Sequence, residues 1–594
     1  MRILTKSLVL LGGIVGKIMA RSVNFSIISF GVDVKLNVGG NVVPMLKNDP
    51  TIPLWTVTTE VPDDEIKYFY VQDAQNDVER TLAKGVTTTY NELIGREVTT
   101  YNMLEFTYPD EPAWDRSIGQ TKLFDDSYIP TFVISGYGNF FNEGDGSATF
   151  SKVIAILKDE VLTFDNVPTS GKNGEEDKFQ FRIELPGDGI YNRNVLKFRS
   201  SSYDPVFFRQ ILYGDILHAI GNPAHESVAA RVYLDSGVGI GLYVLQEDCT
   251  TESFIRSAFY GDPSTGTIKP YDQTVIYDCS TGADFNYHDP NWLGSFQNNT
   301  FDLKAELLEM TRQLDMLDVN DENAVKAFDE NWLDLDTLFK ALALEYLAGH
   351  WDSYWFLSTN FVTYHPAAET EGSPGSYSKY KYYFVDQDFD QTWGVGMAQQ
   401  LDPTTFPTRS YKDFIHLDWD NLNPDEEYDS ATRVVIDKLI GCGNVDKNAQ
   451  CYSKSLFESH LKKIVKYIFN PTSLGNKIDA YKERLRPEII WDTEKVTRLH
   501  TGTEQKFHFN INDFDSNIDS GKYQGSVNPW GLKDWVSTRA DVVCKEFNIN
   551  YDDASLMDSN GHAVSDDAPI VIPNIISKLF TYLLFITFAF VYVF

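Results

Sequence analysis

Apolar and polar residues alternate in short runs over residues 21–110, as in SVNFSII, DVKLNVGGNVVPML, IPLWTVTTEV and IKYFYVQ. A period of two places successive side chains on opposite faces of a strand. Val, Ile, Thr and Tyr dominate these runs, and Gly39-Gly40 supplies a hairpin turn. The pattern predicts a small all-β, sandwich-like domain. The same period continues in YIPTFVISG, ATFSKVIAIL, KFQFRIEL and NVLKFRS within 125–200, with Gly-Lys-Asn-Gly at 171–174 as a loop. The period then changes: Phe208, Ile211, Leu212, Ile216 and Ile220 share one helical face across 205–221. Residues 231–234 and 241–246 flank Asp235-Ser236-Gly237 as a hairpin. Helical spacing returns over 302–349, closing on Gly349 as a C-cap, and again at 455–470 and 474–486, whereas the Pro- and Asn-rich 401–430 reads as a loop region. Strands followed by helices, without an internal repeat, make an α+β protein.

The length, 594 residues, exceeds what one hydrophobic core supports, and 42% hydrophobic with 23% charged residues is a globular composition. Acidic residues outnumber basic ones, 85 to 51, giving a net charge of −34. That disfavours a general affinity for nucleic acid or anionic membrane, and any pocket for an anion must gather its own Lys or Arg. The five cysteines, Cys249, Cys279, Cys442, Cys451 and Cys544, include no C-x-x-C pair, so a structural zinc site is not expected. In an oxidising compartment Cys442–Cys451 would close a short loop, and Cys249–Cys279 is the other local pair; in a reducing one all five are free.

Both ends look like targeting signals. Residues 1–20 combine Arg2 and Lys6 with a short apolar stretch ending near Ala20, the form of a signal peptide, with an ordinary N-terminal strand as the alternative. Residues 551–569 read as a polar spacer with a lipid-attachment site, and 570–594 as a hydrophobic GPI signal, with a membrane-spanning helix as the alternative. Secretory passage and a GPI-anchored cell-surface location follow, with membrane contact through the lipid anchor alone. The sequons at Asn24 and Asn298 are compatible with that route.

The densest chemistry lies in HWDSYWFLSTN (350–360) and YFVDQDFDQTWG (383–394). Asp386, Asp388 and Asp390 occupy alternate positions after an apolar run, so a continuing strand would turn them to one face. Asp352 and Asn360 lie on a polar turn leading into another strand. Carboxylates with one amide form an oxygen-only set suited to Mg²⁺ or Mn²⁺. Read singly, each piece is equally a solvated turn. Lys197 and Arg199 share a strand face upstream, Arg209 opens the helix, and Glu247 ends the strand LYVLQED, where it could pair with Lys197, meet a nucleotide or simply end the strand.

In this order, LKFRSSSYDP, RQILYGDILHAIG, GLYVLQED, EYLAGHWDSYW with Asn360, and YFVDQDFDQTWG resemble the CotH family of atypical kinases over roughly 110–550. The resemblance implies an atypical protein-kinase-like domain over 111–550, preceded by the β-sandwich-like domain at 21–110. It implies ATP with Mg²⁺ or Mn²⁺, and a protein substrate offering Ser or Thr. Asp352 would be the catalytic aspartate, and Asn360, Asp388 and Asp390 would hold metal. Lys197, Arg199, Arg209 and Glu247 would form the nucleotide-binding set. Neither G-x-G-x-x-G nor G-x-x-x-x-G-K-[ST] is present, so basic side chains must cradle the phosphates. Fungal members of the family also resemble invasins that bind a host-cell surface receptor. The family's MGQ-rich surface-binding segment, which follows its WDGYW-like motif, is replaced here by FLSTNFVTYHP.

Overall fold

The computed structural model describes residues 20–109, 112–298, 304–417, 419, 432–503, 508–519, 521 and 530–551, together with the backbone of 556–557 and 563–564. The expected signal peptide and GPI signal lie outside the described residues.

The first strand, Ala20–Ile28, lies between Leu54–Pro62 and Thr88–Leu93, with Leu46–Lys47 at the edge. A second sheet joins Asn41–Pro44, Val34–Val38 and Ile66–Gln72 to two short strands. Alternation sends Val23, Phe25 and Ile27 of one sheet against Leu36, Tyr68 and Tyr70 of the other, all buried. The hairpin between Val34–Val38 and Asn41–Pro44 turns on Gly39 and Gly40, with φ of 57° and 83°, values that a side chain would resist.

A closed barrel of seven strands follows. Its order is Thr131–Ser135, Gly146–Ile156, Val161–Lys172, Gln180–Glu184, Val195–Arg199, Gly239–Glu247 and Ser227–Leu234. Closure is by parallel pairing of Thr131–Ser135 with Ser227–Leu234. Phe150, Phe181, Leu196 and Phe198 fill the interior. Their alternation leaves Lys197 and Arg199 on the other side of their strand, and Arg182 lies directly across from Lys197.

The remaining chain packs helices on a small sheet ordered Phe296–Gln297, Ile276–Cys279, Phe361–Tyr364 and Tyr383–Asp386. The helix Leu335–Ala348 lies against that sheet and against Tyr452–Tyr467. The core there includes Leu338, Leu342, Trp355, Phe457 and Trp535. The molecule is thus mixed helix and sheet.

The helical stretch expected over 302–349 is three helices: Ala305–Met316, Glu322–Asn331 and Leu335–Ala348. Asp321 and Asp334 accept backbone N–H groups at the starts of the last two, which divides the run. Gly349, with φ of 60°, ends the last as its C-cap. The helix expected over 205–221 begins only at Arg209, because the Asp204 carboxylate accepts the backbone N–H of Val206 and Arg209 and holds the intervening residues in a turn. Cys442 and Cys451 are disulfide-bonded. Cys249 and Cys279 are not paired: each is buried in a different apolar cluster.

The N-terminal sheets are joined to the barrel by an apolar seam of Ile28, Leu93, Val133, Ile154 and Ile156. Beside it Glu488, on the helix Ser473–Glu494, receives Arg96 at 2.9 Å and Arg231 at 2.6 Å.

Candidate active site

Barrel and small sheet face each other across a cavity of about 250 Å³, lined by Lys197, Asp248, Asp278, Asn360, Gln387 and Asp388 among others. Each side chain reaches it for a local reason. Lys197 projects from the barrel and lies 3.7 Å from Asp248, which also takes Arg182 at 3.5 Å. Asp248 immediately follows the strand Gly239–Glu247, so the end of that strand anchors the two cross-strand cations. Asn360 precedes the strand Phe361–Tyr364 in the left-handed conformation, φ 53°. Its amide donates to the Asp352 main-chain oxygen at 2.8 Å and to Oδ2 at 3.2 Å.

The strand Tyr383–Asp386 ends before the aspartate run is complete. Asp388 is also left-handed, φ 64°, which breaks the alternation expected from the sequence. The three aspartates therefore do not share a face. Asp386 turns inward, accepting the Tyr213 hydroxyl at 2.6 Å and lying 3.4 Å from His350 Nδ1. Asp388 and Asp390 instead meet Arg199, at 2.5 Å and 3.1 Å. Between them Phe389 is buried, its ring stacked on Tyr213 at 4.3 Å and on His225 at 4.9 Å. Its backbone N–H donates to Gln210 Oε1 at 2.7 Å. An apolar plug and a side-chain amide thus lock the turn that carries both carboxylates.

Electrostatics separate these acids. Burial opposes it, but Arg199 and then Lys197 hold the Asp388 carboxyl below its usual range. Burial raises Asp390, and Asp388 adds to the rise against Arg199. Burial, opposed by His350 and reinforced by Asp388 and Asp390, lifts Asp352 to about 7. Burial alone would neutralise His350, but Asp386, Asp352 and Glu345 overcome it and push the imidazole up to about 10. His350 Nε2 donates to the Asp388 carbonyl at 3.0 Å, so an imidazolium ties the Asp352 turn to the Asp388 turn.

Asp352, Asn360, Asp388, Asp390, Lys197 and Arg199 are thereby brought together. Two other residues expected to bind nucleotide are not. Glu247 is buried inside the barrel wall, where it receives Arg193 at 2.7 Å, the Ser257 hydroxyl and the Glu226 N–H at 2.9 Å. Its carboxylate is satisfied away from Lys197, and the next residue, Asp248, takes the pairing with Lys197. Arg209 is fully buried between Asp204 and Asn517, the latter at 2.7 Å, and fastens its helix to a distant segment. Sequence reasoning missed His350, two residues before Asp352, and Asp248, one residue after Glu247. Strand register alone distinguishes Asp248 from Glu247.

The donor set fits a hard divalent cation. Asp388 and Asn360 line the same cavity with oxygen ligands, and the buried Asp352 Oδ1 has no hydrogen-bond partner. Among the described residues no three His, Cys, Asp or Glu side chains already converge as ligands, and Arg199 engages one oxygen of each of the two carboxylates.

A family model described as CotH kinase protein matches residues 171–543, a span that contains all of these groups. The chain belongs to the CotH kinase family. Invasin CotH2 of Rhizopus delemar is 30% identical over 560 residues, covering 89% of this chain and 84% of the relative. Invasin CotH3 of the same organism is 29% identical over 553 residues, covering 89% and 85%. Spore coat protein homolog 1, also from Rhizopus delemar, is 27% identical and covers 86% and 79%. Among solved structures, the Helicobacter pylori proinflammatory kinase CtkA covers 53% of this chain and 90% of its own, with 11% identity and a TM-score of 0.23, a likeness too slight to bear on this CotH fold.

Proposed function

We propose that this protein is an atypical protein kinase of CotH type that transfers phosphate from ATP to Ser or Thr of secretory or surface proteins. The observation that carries the reading is the junction of Arg199 with Asp388 and Asp390 beside the Asp352–Asn360 pair, at the edge of one polar cavity. Phosphoryl transfer needs little covalent help; it needs phosphate charge neutralised and the acceptor oriented.

In this reading Lys197 and Arg199 bind phosphate oxygens of the nucleotide. Asp388 and Asn360 hold Mg²⁺ or Mn²⁺, with Asp390 supporting, and the cation when bound spreads phosphate charge. Asp352 accepts the acceptor hydroxyl's hydrogen bond through Oδ1, which makes no hydrogen bond and lies 3.4 Å from His350 Nε2, and orients it for in-line attack. Glu247 and Arg209 act through the barrel and helix they brace, without touching nucleotide. The test is metal-dependent ATP binding by the folded protein, followed by labelled phosphate transfer in Mg²⁺ and in Mn²⁺. Absence of metal-dependent binding in folded protein overturns the reading.

A second role is favoured by the invasin relatives: display on the cell surface and binding of a host-cell receptor. Anchoring through a C-terminal GPI signal belongs to this reading. Among the described residues no helix is long and apolar enough to cross a membrane. Receptor binding that survives Asp388→Asn while nucleotide binding is lost would separate the two roles.

A further inference from the structure

A groove of about 670 Å³ opens on the small sheet outside the cleft, lined by Ser280, Thr281, Asp289, Asn291, Trp292 and Gln297 among others. It is built by a short turn, Pro290–Ser295. Leu293 is buried and anchors the turn. The Asp289 carboxylate accepts the Asn291 backbone N–H at 3.3 Å and its side-chain amide at 2.8 Å, which fixes Asn291 at the rim. Trp292 is left half-buried along the groove. Among the described residues no aromatic ring or cation packs on its indole, and its N–H has no hydrogen-bond partner.

The polar groups opposite are positioned but not exhausted. Gln297 donates its amide N–H to Ser280 Oγ at 3.0 Å, leaving its carbonyl to accept. Ser280 in turn donates to the Ser295 carbonyl at 3.2 Å. Among the described residues no Lys or Arg lines the groove, Lys304 being bonded to the Leu293 carbonyl of the turn at 2.6 Å, and the Asp289 carboxylate is already engaged by Asn291.

The geometry points to a binding site for a neutral saccharide. One indole face suits the C–H face of a pyranose ring, and Trp combines that apolar body with a polar handle. Amides and hydroxyls supply both donors and acceptors for ring hydroxyls. An anionic ligand would meet Asp289 with no cation lining the groove among the described residues, and a wholly apolar ligand would bury the amides unpaired. Gln297 also lines the adjoining groove, which shares Arg182, Thr250 and Asp278 with the cleft cavity. A saccharide held against Trp292 therefore lies on the face that opens to the cleft. The site does not depend on phosphoryl transfer.

The test is saturation-transfer NMR on the whole protein with chitotriose and mannotriose as neutral probes and a sulfated disaccharide as the charged control. NMR is preferred to fluorescence because the chain holds eleven tryptophans. At least one neutral probe should bind, and the sulfated one should not. Trp292→Ala should weaken binding about tenfold, and Trp292→Phe should keep it within about threefold. Gln297→Ala, outside the turn, should weaken it by several-fold even where Trp292→Ala fails to fold. Failure of both neutral probes with folded wild-type protein, stronger binding of the sulfated probe, or undiminished binding by both the Trp292→Ala and Gln297→Ala proteins overturns the proposal.

Discussion

Arg199 contacts Asp388 at 2.5 Å while also reaching Asp390 at 3.1 Å, so one guanidinium holds both carboxylates at the edge of the cleft. In the proposed kinase reading Arg199 competes with a cation for Asp388, and the phosphate that accompanies the cation is a suitable new partner for the guanidinium. Arg199→Met should therefore separate two effects. Mn²⁺ affinity without nucleotide, read by titration calorimetry, should rise, while phosphate transfer should fall by about tenfold or more. Unchanged values for both would remove Arg199 from the site.

Asp352→Asn should lower transfer by roughly 10²–10⁴-fold, the span typical of a positioned acid or base, with ATP binding retained. Nucleotide binding lost in step with transfer would place Asp352 among the ligands rather than beside the acceptor.

The pH dependence of transfer follows from the same carboxyl. Burial lifts Asp352 to about 7, and the carboxylate is the stronger acceptor and the form able to take the acceptor's proton. The rate should accordingly rise with pH and level off above that value. A bound cation favours the carboxylate and moves the limb downward. A profile flat from pH 5 to 8, about two units below to one above that pKa, in both wild type and Asp352→Asn would contradict the assignment.

Glu488 gives a prediction about stability. Burial opposes ionisation, but Arg231 and Arg96 hold the carboxyl down to about 2. A depressed carboxyl contributes stability above its unfolded value and loses it as pH falls toward the folded one. This contribution should therefore fade between the ordinary glutamate value of about 4.3 and about 2. Glu488→Gln should cost about 3–5 kcal/mol, because it strands two buried guanidinium groups. Thermal melts across pH, with limited proteolysis at the seam between the N-terminal sheets and the barrel, provide the measurement.

Reduction of Cys442–Cys451 should cost about 2–3 kcal/mol, the chain-entropy value for a short closed loop. The loss should be the same in a Cys442→Ser/Cys451→Ser protein by denaturant titration, since the loop lies outside the cleft.

Much of the molecule could be read from one-dimensional pattern. Alternation gave the strands and the shared face of Lys197 and Arg199, and of the two cysteine pairs that spacing offered the structure joins Cys442 and Cys451 and leaves Cys249 and Cys279 free. Pattern failed where a partner comes from far along the chain. Arg209 bonds Asn517, 308 positions away, and Arg193 claims Glu247 from 54 positions away. Local periodicity carries no trace of either. It failed again at Asp386, because alternation assumes a strand continues and the left-handed residue at Asp388 ends it. The parallel closure of the barrel was hidden for a similar reason: register between Thr131–Ser135 and Ser227–Leu234 is set by packing.

Asn360 and Asp388 both have backbone with positive φ, where ordinary L-residues lose about 1–2 kcal/mol and Asn and Asp are among the few tolerated. In the proposed kinase reading these two positions meet two demands, a main chain with positive φ and oxygen ligands for a hard ion. The short polar residues that meet one demand also meet the other. An alanine there would confound backbone strain with the lost side chain, so Asn in place of Asp388 is the exchange that varies charge at a tolerated backbone, whereas Asp in place of Asn360 would also remove the two amide bonds to Asp352.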